Sequence, residues 1–487
     1  MDSAAEPLDR TARQWAPFAE WSLPNPTWEG NPFDVAASVA FRHPASGESH
    51  VTGMFYDGGE TWKFRFTGTR PGRWTFSTSS ADPDLDGLEG TVTVEANGDG
   101  VGFVTGSGNR WCRQRGAEGR LEAFVPQFVM YHHPGACWRR PDRVEADIEA
   151  WFDEHGFNGL HTPVFCRWFD LEQERSSRIA EDDPNPDPRT FEALEMLITR
   201  AHAAGGVVHI WAWGDESRRQ TPIKWGINGA ADRRLQRYIA ARLGPIPGWT
   251  MGYGYDLWEW VEGEQLTAWH AYMHQHLGWP HMLGARSRKH SLGQLSEAMD
   301  YASYEQHRPD YATYVKTIEQ RPEKPAFSED RFRIRGRPKD YTMEETRRGL
   351  WHSAMAGGVA NIWGNLKHGE APGGGSCPYP RPGWIRTYSR FFDHRFALHM
   401  VRDNAITNGV CLRTSDSTRL VFYREDASSL EMDLSEMPEP LPGVAVDALK
   451  PYAERELGAL EPGRHSWDAP YPSDWAVAVG RGCGTQP

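Results

Sequence analysis

The chain predicts an α/β protein of three units: an antiparallel β-sandwich, a (β/α)8 TIM barrel, and a small C-terminal β-sandwich domain. Apolar residues recur at every second position up to about Ala96, and short apolar strands then alternate with helical segments over about 280 residues. From about Asn404 the period returns to two. A chain of 487 residues is also too long for one ordinary domain. The expected boundaries are 1–105, 106–403 and 404–487.

The first unit is carried by VAASVAFRHP, HVTGMFYDGG, TWKFRFTGT, GRWTFSTSS and GTVTVEA, each with apolar or aromatic residues at alternate positions. Asp-Gly-Gly, Arg-Pro-Gly and Pro-Asp-Leu-Asp-Gly separate them, supplying positive φ at glycine and fixed φ at proline. Within this unit NPF near Asn31, GMFYDGG near Gly53, WKFRF near Trp62 and GRWTF near Gly72 resemble an immunoglobulin-like domain. That domain precedes the barrel in many apiosidase-like glycoside hydrolases. Residues 97 to about 121, rich in glycine, read as a linker.

The barrel strands are expected in EAFVPQFVMY, FNGLHTPVFCRWF, VVHIWAWGDE, GWTMGYG, HMLGAR, MDYASYE, KPAFSED and VANIWG. Helices are expected in RVEADIEAWFDEHG, TFEALEMLITRAHAAGG, AADRRLQRYIAARLG, a long segment from Asp256 to about Leu277, PDYATYVKTIEQ, MEETRRGLWHSAMAGG and IRTYSRFFDHRFALHM. A fifth helix near SLGQLSEA is the weakest. Eight strands alternating with helices favour a closed parallel barrel over an open sheet.

GVCLRTS, TRLVFYRED, LEMDLSEM, GVAVDAL and SDWAVAVG make the last unit. A strand ending in tyrosine and a final strand opening with Asp474-Trp475 resemble the C-terminal β domain of the same enzymes, labelled collagen-binding in that family. The resemblance therefore spans nearly the whole chain.

The candidate chemistry centres on GWTMGYGYDLWEWV. A strand there meets a Gly-Tyr-Gly-Tyr hinge and then Asp256, ringed by Tyr253, Tyr255, Trp258 and Trp260. Glu329 follows another short apolar strand, about two and a half βα units of roughly 30 residues further on. Strands four and seven end opposite each other across a barrel mouth. Glycoside cleavage needs one carboxylic acid to protonate the leaving oxygen and one carboxylate to attack or to activate water. The resemblance implies an aspartate after strand four as acid/base and a glutamate after strand seven as nucleophile, which are Asp256 and Glu329. The Asn-Glu pair of many other barrel glycosidases is absent after strand four. Asp256 and Glu259 also have capping-box spacing, so either could simply start a helix. Glu329 competes with Asp330 and with a loop ion pair to Arg331, Arg333 or Arg335.

Further candidates lie at the carboxyl ends of other strands: Arg167 and Trp168, Trp213 and Asp215, Arg286, Tyr304 with Glu305 and His307, and Trp363. Barrel active sites collect at that end. His132 and His133 follow strand one, but no cluster at ligand spacing supports a metal there, and no metal or cofactor is expected. The Gly-rich NGDGVGFVTGSG lacks a phosphate-loop pattern.

Composition narrows the function classes. With 39% hydrophobic and 24% charged residues the chain reads as a soluble globular protein. A net charge of −13 argues against a general nucleic-acid binder. The 22 Trp, 16 Tyr and 21 Phe suit sugar faces as well as cores. Cys112, Cys137, Cys166, Cys377, Cys411 and Cys483 are scattered and make no metal or disulfide framework. No basic and apolar leader opens the sequence and no stretch approaches about 18 apolar residues. A cytoplasmic enzyme is expected, unless a leader was removed, with an oligosaccharide or polysaccharide as its partner and neither nucleic acid nor membrane. Two alternatives are a lyase acting on a uronate-containing glycan and a non-catalytic glycan-binding barrel.

Overall fold

The computed structural model describes residues 8–173, 179, 181–288, 291–306, 310–333, 341–364 and 379–480. Near the N-terminus, five strands pair in the order Arg10–Arg13, Glu89–Glu95, Gly72–Ser80, Ala37–Arg42 and Ser49–Gly53. A second sheet joins Ala19–Pro24, Thr61–Phe66 and Phe55–Tyr56. The expected alternation sends one face of each sheet into a shared aromatic core. There Trp21 stacks on Phe64 at 4.8 Å and meets Phe76 edge-on at 5.2 Å.

The stretch expected to be a linker is instead a third antiparallel sheet, Val101–Ser107, Arg110–Arg115 and Arg120–Ala123. Its glycines obscured two short paired strands, in which Phe103 joins the core of the N-terminal sandwich while Val104 and Trp111 join the barrel interior. Trp111 closes the floor of the barrel: its Nε1 donates to the Ala326 carbonyl at 2.9 Å, and its ring packs on Tyr301 and Phe327.

The barrel has eight parallel strands: β1 (Gln127–Met130), β2 (Gly159–Pro163), β3 (Val207–Trp213), β4 (Trp249–Gly254), β5 (Met282–Gly284), β6 (Ala302–Tyr304), β7 (Ala326–Arg333) and β8 (Ala360–Gly364). They form one continuous sheet from β5 through β1 and β8 to β6. A single parallel bridge, Arg286 to Ser303, closes the gap between β5 and β6. Around it lie α1 (Pro134–Arg139), α2 (Pro141–Glu149), α3 (Pro188–Ala203), α4 (Ala230–Leu243), α5 (Gly263–Leu277), α6 (Tyr311–Gln320), α7 (Met343–Met355) and α8 (Pro382–Phe392).

Three helical expectations are corrected. Asp256 does not open the long helix; a 3-10 turn, Leu257–Glu259, intervenes and α5 starts at Gly263. Among the described residues no helix forms at SLGQLSEA between β5 and β6. The last barrel helix stops at Phe392, eight residues short of Met400.

The C-terminal strands Val401–Arg402, Val410–Arg413, Arg419–Asp433, Arg464–Gly480, Leu441–Asp447 and Arg455–Leu460 join in one antiparallel sheet in that order. The residues that carry its resemblance are docking residues. Tyr423 stacks on Trp351 of α7 at 4.9 Å, and Asp474 accepts from Arg347 at 2.6 Å. The N-terminal sandwich is tied to the barrel by Arg65, which reaches Glu195 of α3 and the Arg242 carbonyl of α4, both at 2.9 Å. Among the described residues no helix is long and apolar enough to cross a membrane. Cys112, Cys137, Cys166 and Cys411 are buried free thiols; Cys377 and Cys483 lie outside the described residues.

Candidate active site

Glu329 sits in β7 where the strand breaks step with β8. Ser328 pairs with Asn361 but the next partner of Ile362 is Arg331, so Glu329 and Asp330 bulge out of the ladder. Such a bulge re-aims a side chain at a strand end. The Glu329 carboxyl is fully buried, and accepts from Trp211 Nε1 and from the Ser303 hydroxyl. His209 Nε2 approaches the same carboxyl at 3.4 Å. Burial pushes the acid up to about 7, against the lowering effect of the Ser303 and Trp211 hydrogen bonds and of the Arg286 charge.

Space for this carboxyl comes from β4. Gly252 lies beside it, and a Cβ there would overlap Glu329 Oε1 and crowd Trp211. Gly252→Ala is therefore expected to displace the carboxyl and lower kcat/KM by roughly 100-fold, since a misplacement of about 1 Å costs that much. Steady-state kinetics on any accepted substrate would check it.

Beneath Glu329 runs a buried histidine pair. His161 Nδ1 and His209 Nδ1 are 2.9 Å apart, and His209 Nε2 lies 3.3 Å from the Tyr301 oxygen. Tyr301 spends its own proton on the Met251 carbonyl at 3.1 Å. Burial pushes His209 down to about 3, so it is neutral. The tautomers follow: His209 Nε2–H donates toward Tyr301 and Glu329, and His209 Nδ1 accepts from His161 Nδ1–H.

Asp256 lies just beyond β4 in the left-handed region, φ 53, which aspartate tolerates better than most residues. Asp256 precedes the 3-10 turn, whose Glu259 N–H bonds its carbonyl, but the Asp256 side chain makes no capping bond. The capping box belongs to Glu262 and Gln265, at the start of α5. Asp256 Oδ1 instead accepts from Arg286 Nη2 at 2.7 Å. The same nitrogen lies 3.3 Å from Glu305 Oε2, and Arg286 Nη1 donates to the Glu329 carbonyl at 3.2 Å. Arg286 rests over the Trp211 and Tyr255 rings. One buried guanidinium thus joins the ends of β4, β6 and β7.

Glu259 is exposed on the 3-10 turn. Desolvation, then the charges of Asp256 and Asp215, hold its carboxyl above the usual range. Asp215 caps the next turn through Ser217 N at 2.8 Å. With neither cap nor packing to lose, Glu259→Gln is expected to cost under about 0.5 kcal/mol and to leave the leaving-group dependence of the rate as in the parent. Urea melts and a series of aryl glycosides would test both.

The aromatic ring expected around Asp256 divides. Tyr255 faces inward, donating to Gln220 Oε1 at 2.9 Å. Trp213 ends β3 and packs with the helical-layer core, its ring near Phe169. Tyr253 and Trp260 pack outward into the helical layer, and Trp258 is exposed beside Arg288.

Three other candidates face away from the mouth. Trp168 is buried against Phe191 of α3 with its N–H on the Ala212 carbonyl. Trp363 donates to Gln127 and lies against Gly349 of α7. Tyr304 points to the outer layer, where desolvation pushes it up to about 12 and Arg321 and Glu297 are its charged neighbours. Strand parity separates Tyr304 from its inward neighbour Ser303 and Trp363 from its inward neighbour Ile362. Trp168 instead lies beyond β2 on the 3-10 turn Phe165–Trp168, where the sequence placed a strand end. Arg167 is buried, with His133 as its neighbour. His133 caps α1 through Ala136 N at 3.2 Å, which gives it a structural task. His307 lies outside the described residues. A cavity between the N-terminal sandwich and α4, lined by Phe33, Met54, Tyr56 and Tyr238, holds no carboxylate and is remote from this cluster.

Residues 11–81 match a family model described as a domain of unknown function, DUF5060. No curated protein matches the sequence. Among solved structures, a candidate glycoside hydrolase from Bacteroides vulgatus ATCC 8482 superimposes with a TM-score of 0.77 at 15% identity, over 96% of this chain and 99% of that one. A glycoside hydrolase family 5 protein from the same organism gives 0.58 at 13% identity, over 79% of this chain and 94% of that one. A further structure described as a glycoside hydrolase gives 0.56 at 11%, over 79% and 98%. The architecture of this chain is thus one shared with solved barrel proteins named as glycoside hydrolases.

Proposed function

We propose that the protein is a glycoside hydrolase of the apiosidase-like kind, cleaving an oligosaccharide or a polysaccharide side chain with retention of configuration. The observation that carries this reading is the buried Glu329 at the end of β7, held by Trp211 and Ser303, with Asp256 at the end of β4 joined to it through Arg286. The names of the structural neighbours support the same class.

In this mechanism Asp256 gives a proton to the leaving oxygen while a Glu329 oxygen attacks the anomeric carbon. Asp256 then takes a proton from water, which displaces the enzyme from the sugar. Trp211 and Ser303 hold the attacking carboxylate in one orientation. Screening on aryl glycosides and cell-wall oligosaccharides tests the class. Proton NMR of the first product tests the stereochemistry: the substrate's own anomer is expected, and the opposite anomer sinks retention.

A second assignment rests on one observation. Glu329 is the carboxyl that burial pushes up to about 7, while Asp256 faces a guanidinium. Exchanged roles would make Glu329 the acid. A lyase would need a histidine or tyrosine base beside a uronate, and Tyr304, one candidate for it, is turned into the outer layer. Products absorbing in the ultraviolet would favour the lyase.

A further inference from the structure

At the opposite end of the barrel from Glu329, α5 carries His270 and His274 one turn apart, which places both imidazoles on one face. Asp300, two residues before β6, closes against them. His270 Nε2 lies 3.0 Å from Asp300 Oδ1 and His274 Nε2 lies 2.8 Å from Oδ2. One donor atom from each residue can be chosen so that all three lie within 4.8 Å of one another. The carboxylate is anchored from behind by Leu283 N of β5, which donates to Oδ2 at 2.8 Å.

We propose that His270, His274 and Asp300 form a binding site for one divalent transition-metal ion of the Zn2+ class, which clips α5 to the starts of β5 and β6. Two imidazole nitrogens and one carboxylate oxygen are a borderline donor set that suits such ions. Ca2+ and Mg2+ require more oxygen ligands than the three residues supply. Both histidines reach solvent, with side chains 15% and 33% exposed, so an ion can enter and water can complete a four-coordinate shell. The amide of Leu283 orients the carboxylate as outer partners do at metal centres. Without an ion the same atoms satisfy one another by hydrogen bonds, so the fold stands either way.

The test uses full-length protein stripped of metal, titrated with Zn2+ by calorimetry, beside a His270→Gln/His274→Gln double variant checked for its fold by circular dichroism. One saturable site is expected in the parent, weakened roughly tenfold to 100-fold in the variant. Stoichiometric Zn2+ is expected to raise the thermal midpoint of the parent alone, and chelator to leave turnover unchanged, because the site is remote from Glu329. Absence of a saturable site in the parent overturns the proposal, whatever the variant does. So does a site of unchanged affinity in a folded variant.

Discussion

Glu329→Gln is expected to lower kcat by about 10^4-fold or more while the protein stays folded. Glutamine matches glutamate in volume, and its amide oxygen can still accept from Trp211 or Ser303, but it cannot attack an anomeric carbon. Ordinary activity in this variant would remove Glu329 from the mechanism. The same substitution has a stability signature. Burial raises the Glu329 carboxyl from an ordinary 4.5 to about 7, so the folded state favours its protonated form. A raised acid contributes stability that is complete below about 4.5 and is lost as pH rises through about 7. The loss amounts to roughly 3 kcal/mol for a shift of this size. Glutamine does not titrate. Urea unfolding at pH 4 and pH 8 should therefore show the parent losing stability relative to the variant as pH rises. If Glu329 must be ionised to attack, kcat/KM of the parent should also fall on the acid side of about pH 7.

Asp256→Asn is expected to cripple natural substrates yet spare the first-step cleavage of glycosides whose leaving groups are strongly acidic phenols. A general acid matters in proportion to how badly the departing oxygen needs a proton. Loss on a poor leaving group falls in the range of about 10²–10⁴-fold for removal of an acid catalyst. A plot of log kcat against leaving-group pKa is thus expected to steepen in Asp256→Asn. Steepening in Glu259→Gln with none in Asp256→Asn would transfer the role to Glu259. If a Glu329 variant steepens instead while Asp256→Asn loses activity on every leaving group, the exchanged assignment holds.

The architecture was legible because period two and alternating strand–helix segments survive in single sequences. The strand order could then follow from parallel βαβ units. Asp256, Glu329 and Arg286 were legible from their position after apolar strands, and the structure brings these three together. What was not legible was side-chain direction. Ser303 faces inward and its neighbour Tyr304 outward, and only strand parity, fixed by the barrel register, separates them. Trp211, Ser303 and His209 were missed because they lie within strands, where an apolar or small residue reads as core. The Asp256–Glu259 spacing imitated a helix start, and the left-handed turn that breaks it leaves no mark in residue type. The His-x-x-x-His spacing on α5 was visible, but its carboxylate lies across a loop and strand, out of reach of local patterns.

Trp111 has a consequence for how this barrel can be inherited. The floor of the barrel is furnished by residues that precede its first strand, through a ring seated on Tyr301 and Phe327 and a hydrogen bond to Ala326. An aromatic ring of this kind covers about 150–250 Å² of apolar surface. A barrel cut at Gln127 would open that surface to water on its underside. A barrel exchanged between relatives is therefore expected to keep its underside covered when Val101–Ala123 travels with it, and to lose this ring when the seam falls after Ala123.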